Sequence, residues 1–207
     1  MTKSILVLGP PLCGKEETCR TLLGEYRSMI RPIKVGDMVR ERIKTDEGFR
    51  NLMSRLGPGA LVPDDEVVSM TKPAYDKAAQ DGVQAVYWDG FGRTGEQISL
   101  MNGWGALTPD QSHSLVIIID VSLDVCKRRL QSDIATGARR GREDNSDLVE
   151  RYHVYQNHLP YIKSKLLHRG IRWVDMRGDI GREQQNQHIL DLSRILRIRR
   201  IDPSGQP

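Results

Sequence analysis

Cysteine is scarce in this chain: three in 207 residues, at Cys13, Cys19 and Cys126, with no paired spacing. That excludes a disulfide framework and a cysteine-based metal site, and it fits a reducing compartment. No apolar run approaches the roughly 18 residues of a membrane span. The first apolar run is too short for a signal peptide and opens directly into structure, so a cytoplasmic protein without membrane contact is expected. Repeats and low-complexity segments are missing too. Basic residues do not interleave with aromatic ones, which disfavours nucleic acid as a partner. The net charge is a modest +4. It comes partly from arginine pairs at Arg128/Arg129, Arg139/Arg140 and Arg199/Arg200, which suit solvated helix faces or clamps on phosphate. What is present, 38% apolar and 28% charged residues, describes a single soluble globular domain with room for small appended lobes.

The stretch that organises the rest is Ser4 to Leu22. Ser4–Leu8 is a short apolar run with β-branched members, as in a buried parallel strand. A turn rich in Gly and Pro follows from Gly9 to Gly14, then Lys15 and a helical pattern. Strand, glycine-bounded loop, lysine and helix form a phosphate cradle, because loop N–H groups and a helix N-terminus face an anion. The spacing fits G-x-x-x-x-G-K, yet Glu16 stands where Ser or Thr would hold magnesium, and Thr18 comes two residues late.

Further on, Arg31–Val35 is expected as a strand, with Gly36 and Asp37 opening a helix that Asp37 caps. Helices are expected from about Asp46 to Arg55 and from Pro63 to near Gly82, the latter with acids in its first turn. Strands follow at Gln84–Trp88, Leu115–Val121 and Ile171–Asp175. Helices are expected near Glu96–Gly103, Leu123–Gln131, Ser146–His158, Tyr161–Arg169 and Arg182–Leu196, with Pro160 kinking or dividing the long pair. This alternation predicts an α/β fold, a parallel sheet covered on both faces with right-handed crossovers. Residues 1–35, 81–132 and 146–198 form the expected core. Excursions at about 36–80 and 133–145 are candidate substrate lobes, the second long enough for a mobile lid. A basic tail occupies 199–207.

Four segments together resemble the nucleoside monophosphate kinases, adenylate kinase most of all: GPPLCGKEET, GDMVRERI with GALVPDDEVV, WDGFGRTGEQ, and RGREDNSDLVERYHVY. The resemblance implies a P-loop, three-layer fold with a five-stranded parallel sheet, a monophosphate-binding lobe and a short lid without zinc. It implies phosphoryl transfer from ATP, with Mg2+, to a nucleoside monophosphate. AMP is favoured as acceptor, with a UMP/CMP kinase or a catalytically weak nucleotide binder as alternatives, and a monomer is expected. Lys15 and the cradle residues Gly9, Leu12, Cys13, Gly14, Glu16, Glu17 and Thr18 would surround the phosphates of ATP. Arg129 would lie against its adenine or phosphates. Arg40 and Arg93 would hold the acceptor phosphate. Val35, the backbone of Ala60, Leu61 and Val62, Gly90, and the side chain of Gln97 would line the acceptor site. Arg142 and Arg151 would close onto the transferred group, and Asp89 would hold magnesium through water.

The chain departs from that family pattern in several places. Leu12 replaces a loop glycine, so the cradle must bend without that freedom. Glu16 and Glu17 replace Gly-Thr and put two carboxylates beside a polyphosphate; an outward orientation is expected. Gly92 replaces a proline, which predicts a trans Phe91–Gly92 bond. Val35 replaces a Thr or Ser, and Asp133 replaces an arginine. In the lid, Asp144-Asn145 replaces two aspartates, and Arg140 competes with Arg142 for the lid arginine. His153 and His158 have no ligand-like company and are expected at the surface.

Overall fold

The computed structural model describes residues 2–57, 59–137 and 145–198, with side chains from 147 onward in the last segment. Five strands lie parallel in the order β2-β3-β1-β4-β5. They are β1 (Lys3–Leu8), β2 (Ile30–Lys34), β3 (Ala85–Asp89), β4 (Ser114–Asp120) and β5 (Trp173–Arg177). β1 takes the centre because its residues are apolar on both faces: Ile5, Leu6, Val7 and Leu8 are all buried. Such a strand cannot serve at an edge or against water.

Alternate side chains divide the core in two. Ile5 and Val7 pack with Tyr87, Ile117 and Ile119 under α1 (Lys15–Tyr26), α6 (Leu123–Ala135) and α8 (Arg182–Ser193). Leu6 and Leu8 pack with Val86, Trp88, Val116 and Ile118 under α4 (Asp64–Gln80), α5 (Gly95–Gly103) and the C-terminal part of α7 (Asn145–His168). Two pairs of buried polar groups meet within these layers. Ser4 Oγ accepts from Trp88 Nε1 at 3.1 Å, and the Tyr26 hydroxyl meets Ser193 Oγ at 2.8 Å, joining α1 to α8. The remaining helices, α2 (Val35–Thr45) and α3 (Glu47–Leu56), run between β2 and α4. Arg42 binds them together: it pairs with Asp46 and Glu66 and lies over the Phe49 ring, 4.4 Å from its centroid. Because Val67, Tyr75 and Ala78 of α4 belong to the sheet's second core, α4 covers the sheet, while α2 meets that core through Val35, Met38 and Val39 just after the end of β2.

Several expected boundaries shift. Val35 is helical, α2 begins there, and Asp37 lies in its first turn paired with Arg40; Asp37 is not the cap. Asp46 does cap α3, accepting from the Phe49 N–H at 2.9 Å. α6 continues to Ala135, so Asp133 is helical. Pro160 does not divide α7; a proline costs one backbone bond, and burial of Ile162 and Leu166 beyond it holds the helix together. β5 starts two residues late because its register is set by pairing of Trp173 with Val116. The segments 138–144 and 199–207, with Arg139, Arg140 and Arg142, lie outside the described residues.

Candidate active site

All the strands point one way, so their C-terminal ends form a single rim, where ligands of open α/β sheets bind. β1 leaves this rim at Leu8 into the loop Gly9–Gly14, and Lys15 opens α1. Gly14 bends at φ 108° and Leu12 at φ 62°, so the loop takes its turn even though leucine has replaced glycine. Nζ of Lys15 donates to the carbonyls of Gly9 at 2.8 Å and Pro10 at 2.9 Å, and to Cys13 Sγ at 3.3 Å. The ammonium therefore caps the loop from inside. Cys13 is fully buried; its sulfur lies 2.5 Å from where a Cβ on Gly9 would stand. From below, the Tyr87 hydroxyl donates to the Lys15 carbonyl at 2.7 Å, and burial raises that phenol's pKa well above its ordinary value. Thr18 turns its hydroxyl back onto the Gly14 carbonyl at 3.2 Å. Glu16 is exposed, whereas Glu17 takes a 2.5 Å ion pair from Arg20. Burial pushes the thiols of Cys19 and Cys126 up to about 11, so neither is a nucleophile near neutral pH.

One strand over, β3 ends at Asp89, whose Cα pairs with that of Val7. The turn that follows has positive φ at Gly90 and Gly92, 82° and 74°, and its Phe91–Gly92 peptide is trans as expected. Phe91 anchors the turn: it is buried between Trp88 and Trp104, with ring centroids 5.3 and 5.7 Å away. A Cβ on Gly90 would meet both the Arg93 guanidinium and Val35 Cβ at 3.5 Å, which places Val35, Gly90 and Arg93 in one corner. The Arg93 side chain is exposed, yet surrounding protein lowers its pKa, with Asp89 opposing the shift. Dense walls and an open face together describe the floor of a cleft. Arg40 folds back over Gly36, its guanidinium 3.2 Å from a Cβ there and paired with Asp37. Ala60, Leu61 and Val62 are half-buried between α3 and α4. Gln97 is only 2% exposed. Its Oε1 accepts from the Arg93 N–H at 2.9 Å and its Nε2 donates to Asp64 at 2.7 Å.

On the other flank, Arg129 of α6 donates to the Leu12 carbonyl at 2.8 Å and to the Gly178 carbonyl at 2.5 Å. It thereby ties the cradle to the loop after β5. Arg151 is half-buried on α7. Lys15, Asp89, Arg93 and Arg129 thus share one end of the sheet. Sequence reasoning missed Tyr87, which supports the cradle, and Gln185, which packs against it. Gln185 is 5% exposed, and its Nε2 would touch a Cβ on Gly14 at 2.7 Å. It also missed Asp64 and Thr94; a polar pair beside Gln97 gives no signal until α4 and α5 are packed together. No group of three His, Cys, Asp or Glu able to hold a metal exists among the described residues. Asp89, half-buried at the rim, is a single hard oxygen donor, which suits an ion that keeps most of its waters and is shared with phosphate.

The family model of an AAA domain matches residues 8–149. The adenylate kinase of Tropheryma whipplei (strain Twist) is 30% identical over 174 residues, covering 79% of this chain and 86% of its own length. That of Nautilia profundicola is 30% identical over 149 residues, 72% of this chain and 73% of its own. That of Desulforamulus reducens is 36% identical over 131 residues, 61% of this chain and 58% of its own. Likeness sustained over most of the chain, on a cleft built of a phosphate cradle and arginines, makes this protein a member of the nucleoside monophosphate kinase family, of the adenylate kinase kind, and so a phosphotransferase.

Proposed function

We propose that the protein moves the terminal phosphoryl group of ATP onto AMP, giving two molecules of ADP. The observation that carries this reading is the adjacency of two anion sites: the Lys15 cradle ends β1, and the Arg93 corner ends β3, the strand paired directly with it. Phosphoryl transfer asks little covalent chemistry of a protein; it needs two anions brought in line with their charge neutralised. In this reading Lys15 and the amides of Gly9 to Gly14 hold the ATP phosphates, and Arg129 flanks them beside Gly178. Arg40 and Arg93 fork onto the acceptor phosphate, while Val35, Gly90 and the backbone of Ala60–Val62 enclose the acceptor and Gln97, its amide taken up by Arg93 and Asp64, supports this corner from behind. Arg151, with Arg142 outside the described residues, closes on the transferred group. Magnesium, carried on ATP and held through water by Asp89, would supply charge neutralisation at the phosphate oxygens. Water exclusion falls to α2, α3 and the connection that follows them.

Exposure of Glu16 and neutralisation of Glu17 by Arg20 favour an active enzyme over a passive nucleotide holder. A coupled assay of ADP formation against AMP, UMP and CMP tests the proposal. The highest kcat/KM is expected with AMP. Preference for UMP or CMP would reassign the acceptor, and no turnover with any of the three would leave a nucleotide holder.

A further inference from the structure

The Arg93 corner is held by a chain of hydrogen bonds that begins on a different helix. Thr94 caps α5, accepting from the Gln97 N–H at 3.1 Å. Its hydroxyl donates to Asp64, 3.0 Å from Oδ2. Gln97 Nε2 donates to Asp64 Oδ1 at 2.7 Å, and Gln97 Oε1 accepts from the Arg93 N–H at 2.9 Å. An amide is symmetric enough in shape to sit either way round, and only its partners decide. Here they decide without ambiguity. A carboxylate only accepts and a backbone N–H only donates, so the nitrogen must face Asp64 and the oxygen Arg93.

We infer that Asp64 is a positioning residue of the acceptor site: its carboxylate locks the Gln97 amide, which holds the Arg93 main chain and so aims the Arg93 guanidinium. The turn needs such a lock. Gly90 and Gly92 both sit at positive φ, and neither restrains its own backbone as a proline would. Phe91 pins the turn at its middle by burial, leaving the Gln97 bond to fix the end that carries the arginine. Asp64 is also the first residue of α4, immediately after the connection that holds Ala60–Val62. The lock therefore joins the acceptor-enclosing connection to the arginine at the floor. Without the carboxylate, Gln97 loses the partner that defines its orientation, and the Arg93 N–H loses a fixed acceptor.

This inference rests on Arg93 being an anchor for the acceptor phosphate, and the test separates the two. Calorimetric titration of the full chain with AMP and, separately, ATP is the measurement. Asp64→Ala is expected to weaken AMP binding about tenfold, the effect of one lost charge-assisted hydrogen bond, and to leave ATP binding unchanged. Gln97→Ala should do the same, and the double variant should be no weaker than the worse single one, because both break one chain. Asp64→Asn keeps an oxygen acceptor for Gln97 and should bind AMP within about threefold of the parent. Asp64→Glu moves the oxygens by one methylene and reads the same loss if Asp64→Ala does not fold. Equal weakening of AMP and ATP, or additive losses in the double variant, would overturn the role given to Asp64. If Arg93→Ala weakens AMP binding and Asp64→Ala does not, only that role falls. If Arg93→Ala binds AMP normally, the assignment of Arg93 itself falls.

Discussion

Leu12 holds a backbone angle, φ 62°, that a residue with a side chain adopts only at a cost of about 1–2 kcal/mol. Its side chain packs on the first core cluster, so glycine and alanine both remove contacts while only glycine removes the strain. Leu12→Gly is therefore expected to be more stable than Leu12→Ala by about 1 kcal/mol, or roughly 2–4 °C in Tm for a chain of this size; equal melting would refute the strain. Glu16 presents a different problem, a carboxylate in the first turn of α1 on the exposed side of the cradle. It competes with phosphate for the positive helix end. Glu16→Gln should lower the KM for ATP by a factor of about 2 to 5, the range for exposed charges, and the gain should shrink as salt rises. Loss of magnesium dependence in that variant would instead make Glu16 a metal ligand.

Among elements, β4 enters the sheet through a turn that titrates. Asp110 accepts from the Ser112 N–H at 2.8 Å and pairs with His113 Nδ1 at 2.8 Å. The Ser112 bonds first, then His113, hold its carboxyl down to about 2. A depressed carboxylate pKa stabilises the folded state above the unfolded value, near 4, and that contribution fades as pH falls toward the folded one. Asp110→Asn should thus be less stable than the parent at pH 6, and the two should converge between about pH 4 and pH 2. Denaturant melts at fixed pH values measure this, and a gap that persists at pH 2 would remove Asp110 from the acid response. The same turn shows how elements couple: Ser114, the first residue of β4, accepts from the Thr108 N–H at 2.8 Å, so the turn and the strand start are held together.

At the scale of the whole molecule, the parallel sheet gathers its strand ends into one rim, and α2, α3 and the connection from α3 to α4 follow directly on the end of β2. Glu150 of α7 already reaches Gly59 in that connection; a Cβ there would stand 3.1 Å from its carboxyl carbon. Phosphoryl transfer between two nucleotides demands that water be kept out, and binding of both nucleotides should draw α2, α3 and the connection that follows them inward. Small-angle scattering with and without a bisubstrate analogue should show a smaller radius of gyration in the complex. An unchanged radius would remove closure from the mechanism.

The central strand, the cradle and the parallel fold were legible in the residues because each depends on local chemistry. Four consecutive apolar residues before Gly9 demand burial on both faces, and a lysine after a glycine-bounded turn demands an anion. Arg93 and Arg129 were legible only through their likeness to a family, since an arginine in a turn or on a helix carries no mark of its target. Only packing decided the rest. Asp37, expected as a cap, lies inside a helix that already begins at Val35 and whose N-cap residue, Lys34, makes no side-chain cap bond, and Pro160 was absorbed because apolar residues beyond it are buried. Gln97 and Asp64 lie 33 positions apart, and their bond exists because α4 and α5 pack on the same face of the sheet. Hydrogen bonds of that kind are written by the tertiary fold, where two polar residues distant in the chain are brought into direct contact.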